Sequence, residues 1–239
     1  SKDKKTAKII NSKKMKTFAD YSIVKKMRGS FLVLGPLISK FNMAKISMPG
    51  GCLIGARPIN YHLAALRKLG MNFTIKNGYI IAQSKGRLKG SLIKFAKVSV
   101  GATINTILAS CLAKGTTRIK LAAREPEIYD LTQFLNKAGA NIKWSGRTCT
   151  IEGVNSLSQT TYTVMSDRIE AGTFSVVATL TKGNLEIKNF NPKVIKTELE
   201  LLKKAGARIK LGNNKIFING PEKIKPIKNI ETKEWPGVA

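Results

Sequence analysis

Acid, histidine and aromatic rings are scarce in this chain. Its 239 residues carry 14 Asp and Glu against 42 Lys and Arg, with one histidine and 7% Phe, Trp and Tyr. A lone histidine gives a Ser-His-Asp triad only one base to draw on, and no nucleophile elbow accompanies it. The three cysteines are scattered and show no paired metal-ligand spacing, so no metal site is expected. That usage makes a reduced, cytoplasmic compartment the default. No apolar run is long enough to span a bilayer; the richest, Phe31 to Ile38, stops short. Ser1-Lys2-Asp3-Lys4-Lys5 leads into no apolar signal region.

What is abundant is positive charge, a formal +28. Such an excess invites a nucleic-acid reading. Three features disfavour it. Only nine of the 42 basic residues are arginine, the better reader of bases and phosphates. The lysines are spread along the chain and form no block. The aromatics do not interleave with them as stacking platforms would. A weak affinity for polyanions that fades with salt is expected whatever the function. The 43% of hydrophobic residues suffices for a core, in one large domain or two small ones.

The chain repeats itself. Leu66-Arg67-Lys68-Leu69-Gly70-Met71-Asn72-Phe73 matches Leu135-Asn136-Lys137-Ala138-Gly139-Ala140-Asn141-Ile142 and Leu202-Lys203-Lys204-Ala205-Gly206-Ala207-Arg208-Ile209. The glycines stand roughly 70 residues apart. Each closes an amphipathic helix with Leu63, Leu66 and Leu69, or Ile128, Leu131 and Leu135, or Leu199 and Leu202 on one face. A hairpin follows each, turning at Asn77-Gly78, Ser145-Gly146 and Gly212-Asn213-Asn214. A strand precedes each helix: Lys45 to Met48, Arg118 to Leu121 and Glu186 to Asn189. A further helix precedes each strand, opened by Arg28-Gly29-Ser30, Val100-Gly101-Ala102-Thr103 and Ala171-Gly172-Thr173. The class is α/β or α+β, built from repeated βαβαββ units. The period places the next helix start near residue 243 and opens the chain part way through a unit, so a fragment truncated at both ends is expected.

The run Pro49-Gly50-Gly51-Cys52-Leu53-Ile54-Gly55-Ala56-Arg57-Pro58 sets a thiol on a glycine-rich turn, five positions before an arginine. Nearby cations favour the thiolate, and a guanidinium grips phosphate or carboxylate through two parallel hydrogen bonds. Taken alone, the decapeptide also fits a surface turn with an incidental cysteine.

Together with the repeat, this loop resembles the enolpyruvyl transferases, and among them the branch acting on UDP-N-acetylglucosamine. Lys26-Met27-Arg28, Leu34-Gly35-Pro36-Leu37, Lys97-Val98-Ser99-Val100-Gly101-Ala102-Thr103, Ala122-Ala123-Arg124-Glu125-Pro126-Glu127 and Asp167-Arg168-Ile169-Glu170 fit in the family's order. The sister shikimate-pathway enzyme shares the fold but not the cysteine loop. The resemblance implies an inside-out α/β barrel pair. Residues 1–166 would be most of the cysteine-loop domain, and 167–239 the start of a second, with a little over half of the family's length present.

By the same resemblance, the activity is transfer of the enolpyruvyl group of phosphoenolpyruvate to the sugar 3-hydroxyl, an early step of peptidoglycan precursor synthesis. No cofactor is implied, nor a membrane or specific nucleic-acid partner. Cys52 would be the general acid, the thiol alkylated in this family by the epoxide antibiotic fosfomycin. Arg57 would reach the phosphate. Arg57, Pro58, Ile59, Asn60 and Tyr61 would line the uridine and diphosphate side, with Asn60 replacing the family's usual Asp. Lys97, Val98, Ser99 and Val100 would hold diphosphate at a helix start, and Arg28 the sugar nucleotide. Glu125 and Glu127 either compensate helix charge or position substrate. Arg168 and Glu170 would brace the crossing between domains. His62 is read as a structural hydrogen-bonder, Cys111 as packed core, and Cys149 has no assigned role. The family's Lys-Asn pair would precede Ser1, and its Asp base and later arginines would follow Ala239. The 239 residues alone are therefore expected to turn over negligibly.

Overall fold

A computed structural model describes residues 5–10, 15–24, 27–48 and 59–238, with Ile23 and Arg28 described by their backbone alone. The chain forms two compact units: residues 1–121 with 140–157, and residues 122–139 with 158–239.

The first unit builds the same sheet twice. β1 (Phe18–Ala19), β2 (Met43–Ser47), β3 (Met71–Lys76) and β4 (Tyr79–Ser84) run in the order β1-β2-β4-β3. β1 and β2 are parallel, and β4 pairs antiparallel with β2 and β3. β5 (Leu92–Lys94), β6 (Thr116–Lys120), β7 (Asn141–Ser145) and β8 (Thr148–Glu152) copy that pattern as β5-β6-β8-β7. The parallel pairs need helical crossovers, whereas the β3–β4 and β7–β8 hairpins close through two-residue turns. The helical segments of this unit are α1 (Tyr21–Val24), a 3-10 helix (Arg28–Val33), α2 (Leu34–Phe41), α3 (Asn60–Lys68) and α4 (Val100–Ser110).

The second unit holds α5 (Pro126–Lys137), α6 (Arg168–Leu180), a 3-10 turn (Pro192–Ile195) and α7 (Lys196–Lys204). Its sheet joins β9 (Asn184–Lys188), β10 (Arg208–Gly212) and β11 (Lys215–Asn219) in the order β10-β11-β9. This is the same antiparallel pattern, without the parallel strand among the described residues.

Alternation places one face of each sheet inward. Ala44 and Ile46 of β2, Thr117 and Ile119 of β6, Cys149 and Ile151 of β8, and Ile216 and Ile218 of β11 are all buried. On the outer face of β2, the Lys45 ammonium lies 5.2 Å from the Phe18 ring centroid and 4.9 Å from that of Tyr79. In the first unit, α4 packs against both α2 and α3. Leu34, Ile38, Leu66 and Ile107 form the interior there. In the second unit, Phe190, Ile195, Leu199, Ile216 and Ile218 cluster with Ala171 and Ala178 of α6.

The repeat is visible in the backbone. Gly70, Gly139 and Gly206 take φ of 101°, 100° and 107°, each just past a helix end. A side chain at that φ would be strained, which explains why glycine recurs there. The strands run one or two residues ahead of the stretches expected from sequence. Leu121 (φ 57°) and Asn189 (φ 54°) take positive φ and end β6 and β9. Pairing of Ser145 with Thr148 makes the second turn Gly146-Arg147, and pairing of Gly212 with Lys215 leaves Asn213-Asn214 as the third. α6 begins at Arg168, ahead of the small-residue cluster. Asp167 caps it, Oδ1 accepting from the N–H of Ile169 at 2.8 Å and of Glu170 at 3.1 Å.

Candidate active site

Three helical starts of the first unit carry the expected binding residues that are described. Arg28 opens the 3-10 helix that runs into α2. Ile59, buried, precedes α3, whose first two residues are the exposed Asn60 and the half-buried Tyr61. Lys97, exposed, and the half-buried Val98 and Ser99 lead into α4, which opens on Val100. Cys52, Arg57 and Pro58 lie outside the described residues.

These starts converge because their helices do. α4 packs against α3 and against the 3-10 helix. The Tyr61 ring meets Phe95 edge-on, centroids 6.2 Å apart, two residues before Lys97. Ser99 is extended, and its Oγ accepts the N–H of Ala102 at 3.3 Å. The Thr103 N–H donates to the Ser99 carbonyl at 2.9 Å, and the amides of Val100 and Gly101 have no acceptor within the helix. Amides and helix dipole together favour an anion at that end, and Lys97 adds a full positive charge.

The sequence reading missed Asn105, which is wholly buried in α4. Its Oδ1 accepts the N–H of Gly35 at 2.7 Å. Its Nδ2 lies 3.3 Å from the carbonyl oxygen of Phe31 and 3.2 Å from Nδ1 of His62. The available signal was an amide inside an otherwise apolar helix.

In the second unit, Arg168 is only 6% exposed, and its Nε and Nη2 donate to Glu127 at 2.9 and 3.1 Å. The Glu127 carboxylate holds the guanidinium pKa above its ordinary value. Glu125 is buried, and its Oε2 has no hydrogen-bond partner among the described residues. The Tyr162 hydroxyl donates to Asp130 Oδ1 at 2.8 Å. Burial, then the Asp130 hydrogen bond and charge, push the Tyr162 pKa up to about 12.

The two described cysteines are poor nucleophiles. Cys111 and Cys149 are buried, and the Cys111 thiol donates to the Ile107 carbonyl at 3.3 Å. Desolvation pushes the Cys111 pKa up to about 12 and that of Cys149 higher still.

Residues 1–236 match the family of EPSP synthase (3-phosphoshikimate 1-carboxyvinyltransferase). The chain belongs to the EPSP synthase family. Within this family it is 55% identical over 236 residues to the UDP-N-acetylglucosamine 1-carboxyvinyltransferase of Pelagibacter ubique, covering 98% of this chain and 56% of that protein. It is 47% identical over 233 residues to the enzyme of the same name from Rickettsia prowazekii, covering 97% and 55%. The chain thus spans about half the length of the curated relatives it matches. Among solved structures, it superposes on the enolpyruvyl transferase NikO from Streptomyces tendae with a TM-score of 0.79 at 21% identity, covering 94% of this chain and 54% of NikO. An EPSP synthase from Acinetobacter baumannii gives 0.63 at 23% identity, covering 83% and 47%. The fold is therefore that of the enolpyruvyl transferases.

Proposed function

We propose that the full-length protein transfers the enolpyruvyl group of phosphoenolpyruvate to the 3-hydroxyl of UDP-N-acetylglucosamine and releases inorganic phosphate. The observation that carries this reading is the 55% identity, over 98% of the chain, to a relative named for that transfer. The cysteine loop favours it over the shikimate-pathway reaction.

The steps place definite demands on residues. The sugar hydroxyl gives its proton to a base as its oxygen bonds to C2 of phosphoenolpyruvate, while C3 gains a proton, which Cys52 supplies as general acid. C3 then loses a proton to a base, the C2–O bond to phosphate breaks, and the double bond reforms. Arg57 takes the phosphate charge. Arg28, Pro58, Ile59, Asn60 and Tyr61 hold the nucleotide side, and Lys97, Val98, Ser99 and Val100 the diphosphate. Two polyanions must be held together, so fixed cations and helix amides contribute by positioning and by offsetting charge. The division near residue 166, with the cysteine loop in the first domain, belongs to the same proposal.

The reading makes the protein a cytoplasmic enzyme of peptidoglycan precursor synthesis. Among the described residues no helix is long and apolar enough to cross a membrane. The test is phosphate release by the full-length protein. Release should require UDP-N-acetylglucosamine and fall by at least ~100-fold in Arg57→Ala. Release that instead requires shikimate 3-phosphate would refute it. So would duplex DNA binding that survives physiological salt, with no phosphate release at all.

A further inference from the structure

We infer that His62 and Asn105 form a buried positioning pair that sets the relative placement of the three nucleotide-binding helix starts. This inference rests on the functional reading above.

The hydrogen bonds fix the chemistry of the pair. The Gly35 N–H must donate, so the group 2.7 Å from it is the Asn105 amide oxygen. The amide NH2 therefore faces the other way, toward the Phe31 carbonyl and His62 Nδ1. Both are acceptors, and the two amide protons serve one each. His62 Nδ1 then carries a lone pair, and the ring proton sits on Nε2. The imidazole is 8% exposed, and the Phe31 ring meets it edge-on at 5.1 Å.

Close approach on both sides leaves the pair little freedom. A Cβ at residue 101 would come within 3.0 Å of His62 Cε1 and Nε2. A Cβ at residue 35 would collide with the Asn105 carbonyl and amide oxygens. Glycine at both places lets the first turn of α4 and that of α2 close on the two polar side chains.

The partners are placed where a shift would matter. Phe31 is three residues from Arg28, on the same 3-10 helix. His62 follows Asn60 and Tyr61 directly on α3. Gly101 follows Val100 at the start of α4. Phe31, His62 and Gly101 are thus each within about one helical turn of a residue assigned to the nucleotide, and Gly35 ties the pair to α2. An apolar core would also hold these helices together. The hydrogen bonds add a directional constraint on their register that the hydrophobic effect alone does not supply.

The test uses the full-length protein and compares His62→Leu with His62→Asn, whose Oδ1 can restore an acceptor near the Nδ1 position. His62→Leu should raise KM for UDP-N-acetylglucosamine ~10-fold with a much smaller change in kcat, and His62→Asn should recover most of the loss. Equal KM in both variants and wild type, or equal loss in both, would overturn the pair's role. A second readout is imidazole nitrogen NMR of the full-length wild-type protein, with the His62 ring assigned as the signal that His62→Asn removes. The expected result is a proton on Nε2 and an Nδ1 signal that moves when UDP-N-acetylglucosamine is added. A proton on Nδ1, or an unmoved signal at saturating nucleotide, would contradict the inference. Wild-type protein that binds no UDP-N-acetylglucosamine would overturn the functional reading, and this inference with it.

Discussion

Thiol selectivity follows directly from burial. Near pH ~7.5, an ordinary cysteine of pKa ~8.5 is ~10% thiolate. Cys111, at about 12, is ~3,000-fold poorer in thiolate under the same conditions. A more basic thiolate is intrinsically the better nucleophile, which returns a factor of ~25–50. The net handicap is about a hundredfold before access is counted. Cys149 is shifted further in the same direction, and neither side chain reaches solvent. Alkylation of the full-length protein with limiting iodoacetamide, read by peptide mass spectrometry, should therefore modify Cys52 ahead of Cys111 and Cys149. The buried pair should react only at the rate of unfolding. Cys52→Ala should leave no fast thiol among these three, and fosfomycin should mark the same residue. Fast modification of Cys111 or Cys149 in the native protein would refute the reasoning.

Three further outcomes are expected. Glu127→Ala strips the carboxylate from a guanidinium that is only 6% exposed; Glu127 itself is 43% exposed, so water softens the loss. The cost should be about 2 kcal/mol in urea unfolding, below that of a fully buried pair, and a change under ~0.5 kcal/mol would place the pair among surface contacts. The Tyr162 pKa is raised on folding, so its contribution to stability is complete below the unfolded pKa of ~10 and is lost as pH rises toward the folded value of about 12. Tyrosinate absorbance of wild type minus Tyr162→Phe should titrate near that higher pH; a midpoint near 10 would contradict the burial argument. At the proposed uracil site, Asn60→Asp puts a charged acceptor in place of a neutral one and should tighten UDP-N-acetylglucosamine by ~3–10-fold in a binding titration. Weaker binding would remove Asn60 from the uracil site.

Much of the fold was legible because its signals are local. Gly70, Gly139 and Gly206 mark helix ends that a positive φ requires, and Asn77-Gly78 marks a two-residue turn with φ of 50° and 73°. Ser99 read as the start of a helix and caps α4. The strand ends were less legible. Leu121 terminates β6 at φ 57°, a conformation for which leucine gives no sequence signal. The short β1 and β5 were also unplaced, since two or three residues offer no alternation to read. In the candidate site, Cys52, Arg57 and Pro58 lie outside the described residues, while Asn60, Tyr61 and Lys97 to Val100, named from the family resemblance, stand at the starts of α3 and α4. Asn105 was not legible, because its worth depends on Gly35, Phe31 and His62 arriving from other elements. Glu127 likewise gained its meaning only when Arg168 proved to be its partner.

The most direct measurement supplies phosphoenolpyruvate with labelled carbon to the full-length protein, together with UDP-N-acetylglucosamine and shikimate 3-phosphate in equal amounts. The label is predicted to appear on the nucleotide sugar, as an ether at its 3-hydroxyl, with one phosphate released per transfer. Label on shikimate 3-phosphate, or on neither acceptor, would contradict the proposed reaction.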